Sequence, residues 1–170
     1  MLKEITPELY IHVFENSTDE EIKAYFDFDG KGFELAKSRY KKGMTNYHTT
    51  FKYFLLKDKE TQSTIGTCGY YRWYEEHNRA EFGYVMSNMA YRKQGLMTEA
   101  ANALIPYAFD NMGVHRIEAF ASPENEPSIR ILEGLGFTKE GLMRDHFLRD
   151  GVYEPSAAYS LLKHEFDQMR

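Results

Sequence analysis

Two periodicities meet within one short stretch of this chain. Residues 79–86 (RAEFGYVM) are rich in β-formers, whereas residues 96–112 place Leu96, Ala100, Ala103, Leu104, Tyr107 and Ala108 at helical spacing, with Glu99, Asn102 and Asp110 on the other side. A strand must therefore run through a short loop directly into a helix, which is the architecture of an anion site. The first amides of such a helix have no acceptor within it and the helix dipole adds positive potential, so an anion can be held there by backbone alone. Gly95 allows close backbone approach, Arg92 and Lys93 bring formal charge, and Thr98 puts a hydroxyl on the first turn. A turn glycine beside two solvated cations is the plainer account, and this segment alone leaves both open. Pro106 inside the helix predicts a kink or break, and Gly113 its end.

Around this centre the chain alternates between the two element types. Residues 9–14 are apolar and β-branched and predict a strand, followed by N-cap candidates Ser17, Thr18 and Asp19 and a helix over 20–28. Residues 29–32 read as a turn, and 33–42 as a helix that Gly43 stops. Segments 50–56, 64–74 and 79–86 predict an antiparallel meander, with a polar loop at 75–78. Residues 115–121 predict the next strand. Pro127 suits the first turn of a short helix carrying Ile129, Leu132 and Leu135, which Gly136 terminates. Residues 140–147 and 157–162 predict a closing hairpin around Arg149, Asp150 and Gly151.

Composition narrows the class. With 170 residues, 42% of them hydrophobic, the chain can bury one sizeable core, and residues 1–170 are expected to form a single domain. Lysine and arginine number 21 against 26 acidic residues, so no uniform basic field exists to grip a nucleic-acid backbone. Cys68 is the only cysteine, which excludes an intrachain disulfide and fits the cytoplasm. No apolar run approaches the ~18 residues of a membrane span, and Lys3, Glu4 and Glu8 interrupt the start where a signal peptide would be apolar. GxxxxGK[ST], GxGxxG and HExxH are all missing, and the six histidines show no ligand spacing, so no metal is expected.

Arg92-x-x-Gly95-x-Met97, followed by Thr98, Glu99 and Ala100, resembles the acetyl-CoA pyrophosphate loop of the GNAT N-acetyltransferases, with Met97 where that family has a small residue. Ala80-Glu81-Phe82-Gly83-Tyr84 before the loop, and Asn125-Glu126-Pro127-Ser128 through Leu132-Glu133-Gly134-Leu135-Gly136-Phe137 after it, fall at family spacing. Glu140-Gly141 and the run Tyr159, Ser160, Leu161, Leu162 extend the likeness to the branch that acetylates ribosomal-protein N-termini. The resemblance implies an α/β domain with the acyl-CoA N-acyltransferase fold: a mixed, mostly antiparallel central sheet with flanking helices. Strands ending near Met86 and Ala121 would splay to admit the pantetheine arm, whose amides would pair with Val85 and Met86. The pyrophosphate would rest on Lys93, Gln94, Gly95, Leu96 and Met97, beside Arg92 and Thr98, with Asn125 holding the cofactor arm. A homodimer is a further family-level expectation.

Acyl transfer from a thioester to an amine needs a neutral amine, a proton acceptor and stabilisation of an oxyanion, for which the resemblance points to the backbone near Met86. An α-amine with a pKa near 8 is about a tenth neutral at pH 7, a lysine amine less than about a thousandth, so an N-terminal amine needs little help. Glu81 is the candidate base, acting through water; its alternative is a structural carboxylate. The thiolate needs a donor. The helix position where many relatives carry a tyrosine reads Ile131-Leu132-Glu133; the resemblance to the ribosomal branch implies Ser128 as the donor, and the alternative is an ordinary helix cap. Direct attack by the amine gives Cys68 no role, so burial is expected of it. Some of Tyr70, Tyr71, Trp73 and Tyr74 could line the acceptor groove while the alternate ones face the core. The expected activity is acetyl transfer from acetyl-CoA to a primary amine, foremost the N-terminus of a ribosomal or other protein. The alternatives are a polyamine, amino-sugar or amino-acid acceptor, or an acyl-CoA-binding protein without catalysis.

Overall fold

The computed structural model describes residues 1–41 and 50–170. Its centre is a seven-stranded sheet in the order β1-β2-β3-β4-β5-β7-β6. These strands are β1 (Leu2–Ile5), β2 (Thr50–Lys57), β3 (Thr64–Tyr74), β4 (Arg79–Met86), β5 (Arg116–Ala121), β6 (Thr138–Arg149) and β7 (Val152–Leu162). Every neighbouring pair is antiparallel except β4 and β5, which are parallel. The parallel pair is joined through the helix α4 (Leu96–Asn111), as a parallel connection requires. The mixed, mostly antiparallel sheet with flanking helices is the architecture expected from the sequence.

Among the described residues three helices precede β2: α1 (Pro7–Asn16), α2 (Asp19–Phe26) and α3 (Gly30–Lys41). The strand expected over 9–14 is a helix instead. Thr6 caps it by accepting from the Leu9 amide, Pro7 opens its first turn, and Tyr10 and Val13 bury one face, so capping overrides β-propensity. The first strand is the short Leu2–Ile5 segment, paired along β2. Helix α2 starts with a reciprocal capping box between Thr18 and Glu21. The turn expected at 29–32 is absorbed into α3, because the Asp29 carboxylate accepts from the Gly32 amide and caps the helix three residues early. The stop expected at Gly43 lies outside the described residues.

Helix α4 runs unbroken through Pro106. The ring removes one internal hydrogen bond, but Ala101, Leu104, Ile105, Ala108 and Phe109 remain buried against the sheet on both sides of it. The Tyr70 hydroxyl also donates to the Leu104 carbonyl at 2.7 Å. Helix α5 (Glu126–Gly134) follows β5, and α6 (Lys163–Gln168), unforeseen in the sequence, follows β7.

Side chains alternate between the two faces of the sheet. On the inner face α4, α5 and α6 share a core with Cys68, Tyr70, Ala80, Phe82, Ile117 and Ala119. On the outer face α1, α2 and α3 cover β1 and β2 in a second core, which no residue of β4 or β5 joins. The outer face of β4 and β5 is thereby left open beside that helical cover.

Candidate active site

The parallel pairing of β4 with β5 is confined to Arg79–Arg116, Ala80–Ile117 and Glu81–Glu118. Beyond Glu81, β4 continues to Met86 against β3, while β5 continues to Ala121 against β7. Each strand follows the twist of its antiparallel partner, so the two part and leave backbone without a sheet neighbour. Val85 turns its carbonyl toward β3, where a Cβ placed on Gly66 would come within 2.4 Å of it. Backbone groups alternate along a strand, so Met86 presents its own to the opening, and the Arg92 guanidinium donates to its carbonyl at 3.2 Å. Of the two residues expected to pair with a pantetheine arm, Met86 turns its backbone toward the opening and Val85 toward β3, and the Val85 side chain is 56% exposed.

The loop after β4 is shaped by its own polar groups. Asn88 accepts from the Ala90 amide, the Gln94 carboxamide donates to the Ala90 carbonyl at 2.8 Å, and Tyr91 ties the loop to Asp58. Lys93 and Gly95 both take left-handed conformations, with φ of 61° and 77°. Gly95 is the N-cap of α4 and supplies no side chain, so among the described residues the amides of Leu96, Met97 and Thr98 have no side-chain cap. Arg92, Lys93, Gln94, Gly95 and Thr98 are exposed around them. Met97, the departure from the family pattern, turns its side chain into the core and is 8% exposed, so its bulk leaves the surface of the loop clear. An uncapped helix start ringed by cations suits a pyrophosphate.

Across the opening, α5 begins with Asn125, whose side-chain oxygen accepts from the Ser128 amide at 3.3 Å. Asn125 is therefore the cap, and the Ser128 hydroxyl has no hydrogen-bond partner among the described residues. The Ser128 carbonyl receives a 3.2 Å hydrogen bond from the Tyr84 phenol of β4, whose acidity is reduced by burial above all. Tyr84 was not singled out from the sequence, although alternation along β4 puts it on the same face as Phe82.

On the outer face Glu81 stands at the last paired rung before the strands part, directly beside Glu118. Arg72 of β3 donates to Glu81 at 2.9 Å. Glu118 is bound by Arg79 at 2.7 Å and by Arg116 at 2.9 Å, and Arg116 also grips Glu140 through both terminal nitrogens. The buried Ser160 hydroxyl donates to Glu140 at 2.7 Å, and Arg116 foremost, then Ser160, hold that carboxyl down to about 2. This ladder braces the vertex from which the strands diverge. Tyr71, displaced by a register shift between Tyr70 and Arg72, lays its ring on Gly83, where a Cβ would come within 2.8 Å. Tyr70 faces the inner core instead. Cys68 is fully buried and burial keeps its thiol protonated.

The family described as "Acetyltransferase (GNAT) domain" matches residues 1–138. An uncharacterized N-acetyltransferase of Bacillus licheniformis is 44% identical over 113 residues, covering 66% of this chain and 63% of that protein, so the match spans less than two thirds of the relative's length. Among solved structures, a spermidine N-acetyltransferase from Vibrio cholerae aligns with a TM-score of 0.73 at 18% identity, covering 100% of this chain and 99% of that one. A ribosomal-protein-S5-alanine acetyltransferase from Vibrio fischeri aligns with a TM-score of 0.70 at 22% identity, covering 97% and 93%. At these identities the two structures share the fold with this chain.

Proposed function

The chain belongs to the GNAT acetyltransferase family, and from that membership we propose that it transfers an acetyl group from acetyl-CoA directly to a primary amine. The observation that carries the reading is the parting of β4 from β5 after Glu81, next to an uncapped start of α4. In this reading the α4 amides with Arg92 and Lys93 hold the pyrophosphate, Met86 pairs with the pantetheine arm, and Asn125 shapes the far wall. Glu81, kept in place by Arg72, faces the acceptor side and relays the amine proton through water. The Ser128 hydroxyl, free of any capping duty, serves the leaving thiolate.

The acceptor we favour is a protein N-terminal α-amine, as on a ribosomal protein. Glu81 and Glu118 at the opening are already matched by Arg72, Arg79 and Arg116, which leaves little uncompensated negative charge for a polyamine. The exposed apolar side chains of the β6–β7 hairpin, Leu142, Phe147, Leu148, Val152 and Tyr153, support a homodimer. Buried, unpaired Cys68 suits a reducing cytoplasm.

A thiol-release assay over peptides with free N-termini and over spermidine, amino sugars and amino acids tests this, with thermal shift by acetyl-CoA measured alongside. Release with peptides well above that with small amines is expected. Preferential release with spermidine replaces the acceptor, and a thermal shift without release from any amine replaces catalysis by acyl-CoA binding.

A further inference from the structure

The hairpin of β6 and β7 loses its register between Met143, paired with Ser156, and Phe147, paired with Glu154. Arg144, Asp145 and His146 thus stand against Pro155 alone, which has no amide hydrogen to offer a ladder. Asp145 takes a left-handed conformation with φ 51°, and the bulge re-aims the following side chain. His146 comes to rest with its ring centroid 5.0 Å from that of Phe120 and 4.9 Å from that of Phe147.

Phe120 fixes where that is. It lies two residues beyond Glu118 on β5, on the same outer face and past the last rung shared with β4. The outer side of the opening is therefore flanked by one ring on each arm: Tyr71 over Gly83 on the β4 side, and His146 over Phe120 on the β5 side.

The His146 ring has no hydrogen-bond partner among the described residues, and its Nδ1 is enclosed. Nε2 is not among the enclosed, unpartnered polar atoms. Enclosing an imidazole nitrogen without a partner costs stability that a phenylalanine of similar shape would not lose. A ring kept at that cost is expected where its other nitrogen, left open, serves a ligand.

We propose that His146 binds the acceptor amine, accepting a hydrogen bond at Nε2 from one N–H so that the nitrogen lone pair turns toward the thioester; this rests on the transferase reading above. In the tautomer that does so, the ring proton sits on Nδ1 among the aromatic rings, and Nε2 offers its lone pair outward. The role is one of binding and orientation, distinct from the water relay assigned to Glu81.

His146→Phe separates this role from a structural one, because it keeps the stacking on Phe120 and removes both nitrogens. The probes are an N-terminal alanyl peptide and spermidine, assayed by thiol release at saturating acetyl-CoA, using whichever the wild type turns over. The expected result is an unchanged or raised Tm, a KM for the amine up by about tenfold, the loss of one hydrogen bond, and an unchanged KM for acetyl-CoA. His146→Gln, which restores an acceptor atom, is expected to recover part of the loss. An amine KM within twofold of wild type in His146→Phe overturns the proposal and leaves the transferase reading standing, as does a lowered Tm with both KM values moving together. Absence of thiol release by the wild type with every amine overturns both.

Discussion

The Tyr84 phenol on β4 donates a hydrogen bond of 3.2 Å to the Ser128 carbonyl in the first turn of α5. One arm of the opening is thus tied to the helix that follows the other arm. The tie fixes the distance between the strand that offers Met86 and the turn that carries Asn125 and Ser128, and it forms on the inner, half-buried face where water competes little.

Tyr84→Phe removes that tie without removing the ring. A loss of about 0.5–1.5 kcal/mol in urea unfolding is expected, with a severalfold rise in KM for acetyl-CoA and a smaller effect on KM for the amine. Equal KM values for both substrates in variant and wild type would show that the opening keeps its width without the bond.

Gly95 at φ 77° has nothing within 4 Å of the place where a Cβ would sit, so substitution there acts through the backbone alone. Gly95→Ala should cost about 1–2 kcal/mol of stability from the left-handed conformation and weaken acetyl-CoA binding by calorimetry more than that of acetyl-pantetheine, which lacks the pyrophosphate. Gly95→Asn, which tolerates the same conformation, should retain more of both.

Glu140 is held down to about 2 in the folded chain by Arg116 first and Ser160 second, against an ordinary value of 4.5. A depressed carboxyl contributes stability that is complete above the unfolded value and disappears as pH falls through the folded one. Glu140→Gln should therefore lower Tm at pH 7, and the gap from wild type should narrow from about pH 5 downward and close near pH 2. The side chain is 44% exposed, so the effect at neutral pH should not exceed about 1 kcal/mol. A gap that stayed constant with pH would mean that Glu140 acts by packing.

Ser128→Ala leaves the Asn125 cap intact, because the cap bond runs from the Ser128 amide. It should reduce kcat about tenfold or more, the range of a single acid–base group being ~10²–10⁴-fold, with acetyl-CoA affinity preserved; unchanged turnover removes the hydroxyl from the mechanism. Glu81→Gln should lower kcat, whereas Arg72→Met should lower it less, since it displaces the carboxylate rather than deleting it. Loss of Tm without loss of rate in both would assign the pair to bracing β3 against β4.

Strands β3 and β4 and the helix α4 were legible at close to their true bounds, because alternation and a helical stripe are local patterns that survive into the fold. The loop from Arg92 to Thr98 was legible for the same reason: an uncapped helix start is written in consecutive residues. Residues 9–14 misled because their β-branched composition outweighed the Thr6-Pro7 start signal lying just before them.

What the sequence determined by itself, then, is the set of elements from β2 to β7 and the hand-over from β4 to the uncapped start of α4. Only the tertiary structure decided that β4 and β5 stop pairing at Glu81, that the Val85 carbonyl faces β3 while that of Met86 faces the opening, that Arg72 and Tyr84 reach their hydrogen-bond partners, and that His146 lies over Phe120. Each of these depends on register and on bulges between segments far apart in the chain. A one-residue slip turns a side chain to the opposite face, so no local pattern can specify them.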